Sequence, residues 1–139
     1  MICSWFFASI FCFQLLQPNC HIVKPVVNPI VYDQKATFTA YTLSEDETDS
    51  TPCIGAGNNN LCEIRDKEPE KCIVATRLYP LNTMLEIEGF GECEVLDRTA
   101  RKYSDRIDIL MYTKKEAIQF GKKELGYNVI NKQSSILGG

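Results

Sequence analysis

The stretch Met84-Leu-Glu-Ile-Glu-Gly-Phe-Gly-Glu-Cys-Glu-Val-Leu-Asp97 decides the fold class. Met84 to Glu88 and Glu92 to Asp97 both alternate apolar with charged residues, the period of a half-buried strand. Gly89-Phe90-Gly91 between them supplies the tight turn of a hairpin. In the second strand Cys93, Val95 and Asp97 share one face while Glu92 and Glu94 point away. Asp97 is therefore expected at the end of the inward face, where a carboxylate needs partners.

Working outward, Arg106 to Met111 repeats the pattern, with Ile107, Ile109 and Met111 on one face and Arg106, Asp108 and Leu110 on the other. Thr113-Lys-Lys-Glu116 is a capping-box pattern, so a helix of about two turns follows, burying Ala117 and Phe120 and ending at Gly121. Gly126 to Asn131 is read as the last strand. Upstream, Cys72 to Thr76 is a short strand, Pro80 enforces a turn, and Lys35 to Tyr41 alternates as a first strand. Ser44 to Thr51, Gly55 to Asn60 and the charged run Glu63 to Lys71 are read as loops. Six short strands and one short helix make a mainly β chain of barrel type.

The N-terminal region differs in character. Ile2 to Leu16 is nearly all apolar and uncharged, too short for a comfortable membrane span, which takes about 20 residues. Residues 1–20 are expected to be a secretory signal peptide, with a short hydrophobic anchor or a misassigned start as the alternatives. Residues 21–34, with Pro25 and Pro29, form a linker, and residues 132–139 a flexible tail. The formal charge is −3 with both signs interspersed, which offers no stripe for a phosphate backbone. Nucleic acid is not expected as a partner, and a membrane enters only through the N-terminal anchor.

Cys53, Cys62, Cys72 and Cys93 fall within the β-rich part. Four cysteines in an exported domain suggest two disulfides, with three connectivities open. The short charged segment between Cys62 and Cys72 favours Cys62 with Cys72 and Cys53 with Cys93. The spacings do not suit zinc, and the only histidine is His21. With one histidine outside the β-rich part, a Ser/His/Asp triad or a Cys/His peptidase lacks its components.

Eight short segments in order then point to a family. They are Thr39-Ala-Tyr-Thr42, Thr48-Asp-Ser-Thr-Pro52, Gly55-Ala-Gly57, Pro80-Leu-Asn-Thr83, Gly89-Phe-Gly91, Leu96-Asp-Arg98, Asp105-Arg-Ile-Asp-Ile109 and Glu116-Ala-Ile-Gln-Phe-Gly121. Over residues 35–131 the chain resembles the 3D domain, named for three aspartates and related to membrane-bound lytic transglycosylase A, rare lipoprotein A and the expansins. The resemblance implies a six-stranded double-psi β-barrel with a glycan groove, acting outside the cytoplasm on peptidoglycan strands, as a monomer without cofactor or metal. It also implies a pair of aspartates separated by ten residues, here Asp97 and Asp108, the second being the catalytic acid. The family's first aspartate aligns with Ala75. Tyr41 and Thr42 match groove-lining positions, and Arg98 and Arg106 flank the acids as substrate-binding or ion-pairing groups.

Two functions follow as expectations. One is cleavage of the glycan strand by a lytic transglycosylase-like mechanism. In it Asp108 protonates the glycosidic oxygen and then takes the proton of the sugar's 6-hydroxyl. An ionised Asp97 nearby would raise the pKa of Asp108 for that purpose, and the arginines would lower it. The other is a non-catalytic, wall-loosening module of expansin type, suggested by Ala75. Taken without the resemblance, the two acids also suit a purely structural pairing with Arg98 and Arg106.

Overall fold

The computed structural model describes residues 28–44 and 51–130. The chain divides into two units, Met1–Ile30 and Val31–Gly139. Of the first, only residues 28–30 are described, and they have no regular structure. Among its described residues the second contains six strands and two α-helices: β1 Gln34–Tyr41, α1 Leu61–Lys67, β2 Cys72–Thr76, β3 Met84–Ile87, β4 Gly91–Asp97, β5 Arg106–Leu110, α2 Lys114–Phe120 and β6 Lys123–Ile130. The strands pair in the order β1-β5-β2-β4-β3-β6, and β6 pairs back onto β1 to close a ring. β1 runs parallel to β5 and β2 parallel to β4, while the other neighbours are antiparallel.

Alternation along each strand accounts for the interior. Phe38, Val74, Leu85, Ile87, Cys93, Val95, Ile107 and Ile109 point into the ring and are almost wholly buried. Each large aliphatic or aromatic side chain removed from water this way stabilises the fold by about 1.5–3 kcal/mol. Phe38 meets Tyr127 edge to face at 6.0 Å between ring centres. The Met84–Ile87 and Gly91–Asp97 pairing is the expected hairpin, and Gly89 and Gly91 take positive φ (82° and 73°) without strain. At α2, Thr113 and Glu116 form the expected reciprocal capping box.

A smaller apolar cluster lies outside the ring, where Leu61 of α1 covers Ile73 of β2 and Leu96 of β4. The helix α1 replaces most of the loop expected over Glu63 to Lys71. Its start was present in the sequence: Asn60 caps the helix by accepting from the Glu63 N–H at 3.1 Å, and Leu61 and Ile64 share one face. β6 begins at Lys123 rather than near Gly126, because Lys123 and Glu124 continue the ladder against Phe38 and Thr37 with their side chains in solvent.

The four cysteines form two disulfides, but with the other connectivity: Cys53 pairs with Cys62 and Cys72 with Cys93. Cys72 and Cys93 are register partners on the adjacent parallel strands β2 and β4, their Cα atoms 4.5 Å apart. The first turn of α1 brings Cys62 back beside Cys53, where the Leu61 N–H donates to the Cys53 carbonyl at 2.8 Å. Loop length alone pointed to the wrong partner because strand register and helix formation set Cβ proximity. Among the described residues no helix is long and apolar enough to cross a membrane. The signal or anchor at 1–20 and the tail at 132–139 lie outside the described residues.

Peptide mapping without reduction is expected to recover Cys53 linked to Cys62 and Cys72 linked to Cys93. Replacing Cys72 and Cys93 together by alanine should lower the unfolding free energy by about 2–4 kcal/mol, read from the urea midpoint. A Cys62–Cys72 peptide would contradict the register of β2 on β4.

Candidate active site

Strict alternation would place Asp97 inside the ring with Cys93 and Val95, and Asp108 outside it, so the two acids could not cooperate. The structure resolves this with a β-bulge. Val74 of β2 pairs with Val95, but the next residue, Ala75, pairs with Asp97, leaving Leu96 unmatched. Asp97 is thereby turned to the outer face, a correction to its expected inward position. On its other side Ala75 pairs with Asp108 of β5, and Asp108 pairs with Thr39 of β1. Thr39, Asp108, Ala75 and Asp97 thus form one row across four adjacent strands. With strands about 4.8 Å apart, the two acids stand about 10 Å apart at the backbone with only a methyl group between them.

This row is the floor of a groove of about 710 Å³, walled by Thr51, Pro52 and Ile54 and by Arg77, Arg98, Tyr103 and Arg106. Gly55 lets the Thr51–Ile54 wall lie close to β4: a Cβ there would stand 2.9 Å from the Leu61 side chain and 3.1 Å from the Leu96 carbonyl. The next residue, Ala56, donates its N–H to Asp97 Oδ1 at 3.0 Å. Asp97 also accepts from the Arg98 N–H at 2.8 Å and, through Oδ2, from the Tyr41 hydroxyl at 3.1 Å. Three donors converge on it, so Asp97 acts here as an acceptor. Burial, and then the charge of Asp97, push the Tyr41 hydroxyl well above its usual pKa, so the phenol keeps its proton and remains a donor.

Asp108 is in a different environment. It accepts a hydrogen bond from the Thr39 hydroxyl, and Arg106 Nε lies 3.3 Å from its Oδ1 without hydrogen-bond alignment. The Arg106 guanidinium stacks on the Tyr103 ring at 3.5 Å. The pKa of Asp108 is raised, because loss of hydration outweighs the Thr39 bond and the Arg106 charge, both of which pull it down. The sequence left the balance between Asp97 and the arginines open, and burial, not the charge of Asp97, decides it.

Arg98 lines the groove, yet its Nη1 donates to the carbonyls of Thr76, at 2.7 Å, and of Tyr79. It latches the chain leaving β2 and does not pair with either acid through its side chain. Thr42 is buried and donates to the Ser44 hydroxyl at 3.0 Å, and it is not among the groove-lining residues. Thr39, Arg77 and Tyr103 are site residues that the sequence reading did not single out. Thr39 could have been found by stepping two residues back from Tyr41 along the same strand face, whereas Arg77 and Tyr103 come from loops without a motif. Among the described residues no group of three or more His, Cys, Asp or Glu is placed to hold a metal ion. No family model matches the chain, and no curated protein matches it.

The raised pKa has a definite signature. An acid that holds its proton more tightly when folded binds more protons in the native than in the unfolded state. Its contribution to stability is therefore present below the unfolded pKa, about 3.9, and is lost as pH rises to the raised folded value. Asp108→Asn removes that dependence. The unfolding free energy of the native protein relative to Asp108→Asn should fall across this window and be flat above it, as measured by urea unfolding at a series of pH values. A difference that rises with pH instead would assign Asp108 to a stabilising ion pair with Arg106.

Proposed function

We propose that the chain is a 3D-type double-psi β-barrel that cleaves the glycan strands of peptidoglycan outside the cytoplasm, with Asp108 as its acid. The observation that carries this reading is the position of Asp108: a half-buried carboxyl whose pKa is raised by loss of hydration, in an open groove and in one row with Asp97. Further support comes from the ordered motifs over 35–131 and from the closed six-strand ring with its two parallel strand pairs. The two disulfides suit an oxidising compartment.

In the proposed reaction Asp108 gives its proton to the glycosidic oxygen as the bond from that oxygen to the anomeric carbon breaks. The leaving sugar departs as an alcohol, and positive charge develops on the remaining ring. The 6-hydroxyl of that same ring then bonds to the anomeric carbon and returns its proton to Asp108, which leaves a 1,6-anhydro end and the enzyme unchanged. No water is consumed and no second carboxylate needs to act as nucleophile. Asp97, Tyr41 and the Ala56 N–H hold the far wall of the groove, and the negative charge of Asp97 faces the developing cation. Ala75 bears on the alternative. A carboxylate at this position would stand between the two acids, and its absence is compatible with a module that grips the glycan without cutting it.

Incubation of the purified protein with cell-wall sacculi, followed by mass analysis, separates the readings. Anhydro-sugar ends are expected. Reducing ends alone would indicate a hydrolase, and binding without new ends would indicate the loosening module. Asp108→Asn should lower cleavage by about 10²- to 10⁴-fold with binding retained, and a folded, fully active variant would remove Asp108 from the mechanism.

A further inference from the structure

A second concavity, of about 510 Å³, adjoins the groove and is lined by Arg77, Leu78, Tyr79, Pro80 and Arg98. Arg77 and Arg98 line both spaces. Each guanidinium is tethered to backbone: Arg77 Nε donates to the Thr99 carbonyl at 2.7 Å, and Arg98 Nη1 donates to the carbonyls of Thr76 and Tyr79. Among the described residues, ion pairs within 4.0 Å engage Lys35, Lys67, Lys71 and Arg106, but neither Arg77 nor Arg98. Two guanidiniums are therefore held in place by neutral acceptors, with further N–H donors on each to satisfy. The tethers leave Nη1 and Nη2 of Arg77 and Nε and Nη2 of Arg98 for a ligand. A planar fork of this kind matches a carboxylate, and prior tethering reduces the side-chain entropy lost when one binds. Leu78 and Pro80 line the same concavity, are apolar and exposed, and suit the carbon skeleton that carries such a group.

We propose that Arg77 and Arg98 form a carboxylate-binding subsite continuous with the acid groove, so that the strand laid over Asp108 is anchored through a carboxylate on or beside the adjoining sugar. The identity of the sugar rests on the glycan reading above, whereas the anion site rests on the two arginines. In peptidoglycan such a carboxylate is carried by the lactyl group of muramic acid and by the peptide stem, and the two sources are separable.

Arg77→Gln is the informative variant, because Arg77 is exposed and its one tether is to a loop carbonyl, whereas Arg98 also holds the chain after β2. Binding is measured in the Asp108→Asn background, which keeps the ligand intact. The probes are peptide-free muramic-acid strands, the same strands with their carboxylates methylamidated, strands with peptide stems, and poly-glutamate. Free strands are expected to bind at least about tenfold more tightly than amidated ones, and Arg77→Gln should erase that difference by weakening the free strands far more than the amidated ones. Dependence on Arg77 confined to stem-bearing strands would retain the subsite and assign the carboxylate to the peptide. Binding of poly-glutamate alone, lost in Arg77→Gln, would retain the subsite and overturn the glycan reading. Equal binding to every probe with and without the Arg77→Gln substitution, with circular dichroism showing both proteins folded, would overturn the subsite.

Discussion

Leu96 has no partner across β2, and that single unmatched residue turns the end of β4 over. Two consecutive side chains, Leu96 and Asp97, then face away from the ring interior, which a regular strand does not allow. The bulge is held from outside. Leu96 is buried with Ile73 beneath Leu61 of α1, a burial of about 1.5–3 kcal/mol. Its carbonyl accepts from the Asn59 side chain at 3.2 Å, which satisfies an acceptor at the point where the ladder is interrupted. The row of Thr39, Asp108, Ala75 and Asp97 depends on this local departure from alternation.

Within that row the two carboxylates are made unlike by their surroundings. Asp97 meets three donors, two of them backbone N–H groups, while Asp108 meets one hydroxyl and a poorly aligned arginine in a site that has lost much of its hydration. Pairs of acids whose environments differ in this way are suited to different tasks, one with its pKa raised by burial and the other accepting several hydrogen bonds. The Thr39 hydrogen bond, and after it the Arg106 charge, moderate the shift at Asp108. Arg106 is stacked on Tyr103 and offset from hydrogen-bond alignment with Asp108, so its charge only partly offsets the effect of burial.

The disulfides stabilise the two sides of this arrangement. Cys72–Cys93 joins β2 to β4 just before the bulge, so the register that precedes it cannot slip. Cys53–Cys62 ties the groove wall to α1, the helix that covers Leu96, and the same loop delivers the Ala56 N–H to Asp97. One small helix therefore supports both the bulge and the loop that uses it.

Much of this was legible from residue order. Period-2 patterning located β1, β3, β4 and β5, β2 and most of β6 were read as short strands, Gly89 and Gly91 marked the hairpin, and Thr113 with Glu116 marked α2, because each of these depends on neighbours in the chain. The resemblance to the 3D domain pointed to Asp97, Asp108 and Tyr41, and the count of four cysteines pointed to two disulfides. Local pattern could not supply the relations between strands. Which cysteine meets which follows from β2 lying beside β4, and the raised pKa of Asp108 follows from burial that no sequence window contains. Arg77 reached the groove from a loop without a motif. The side of the sheet on which Asp97 emerges was decided by one extra residue in β4, held by contacts with α1 from well upstream in the chain. Alternation is a property of a regular strand, and only packing across the sheet could specify where it is broken.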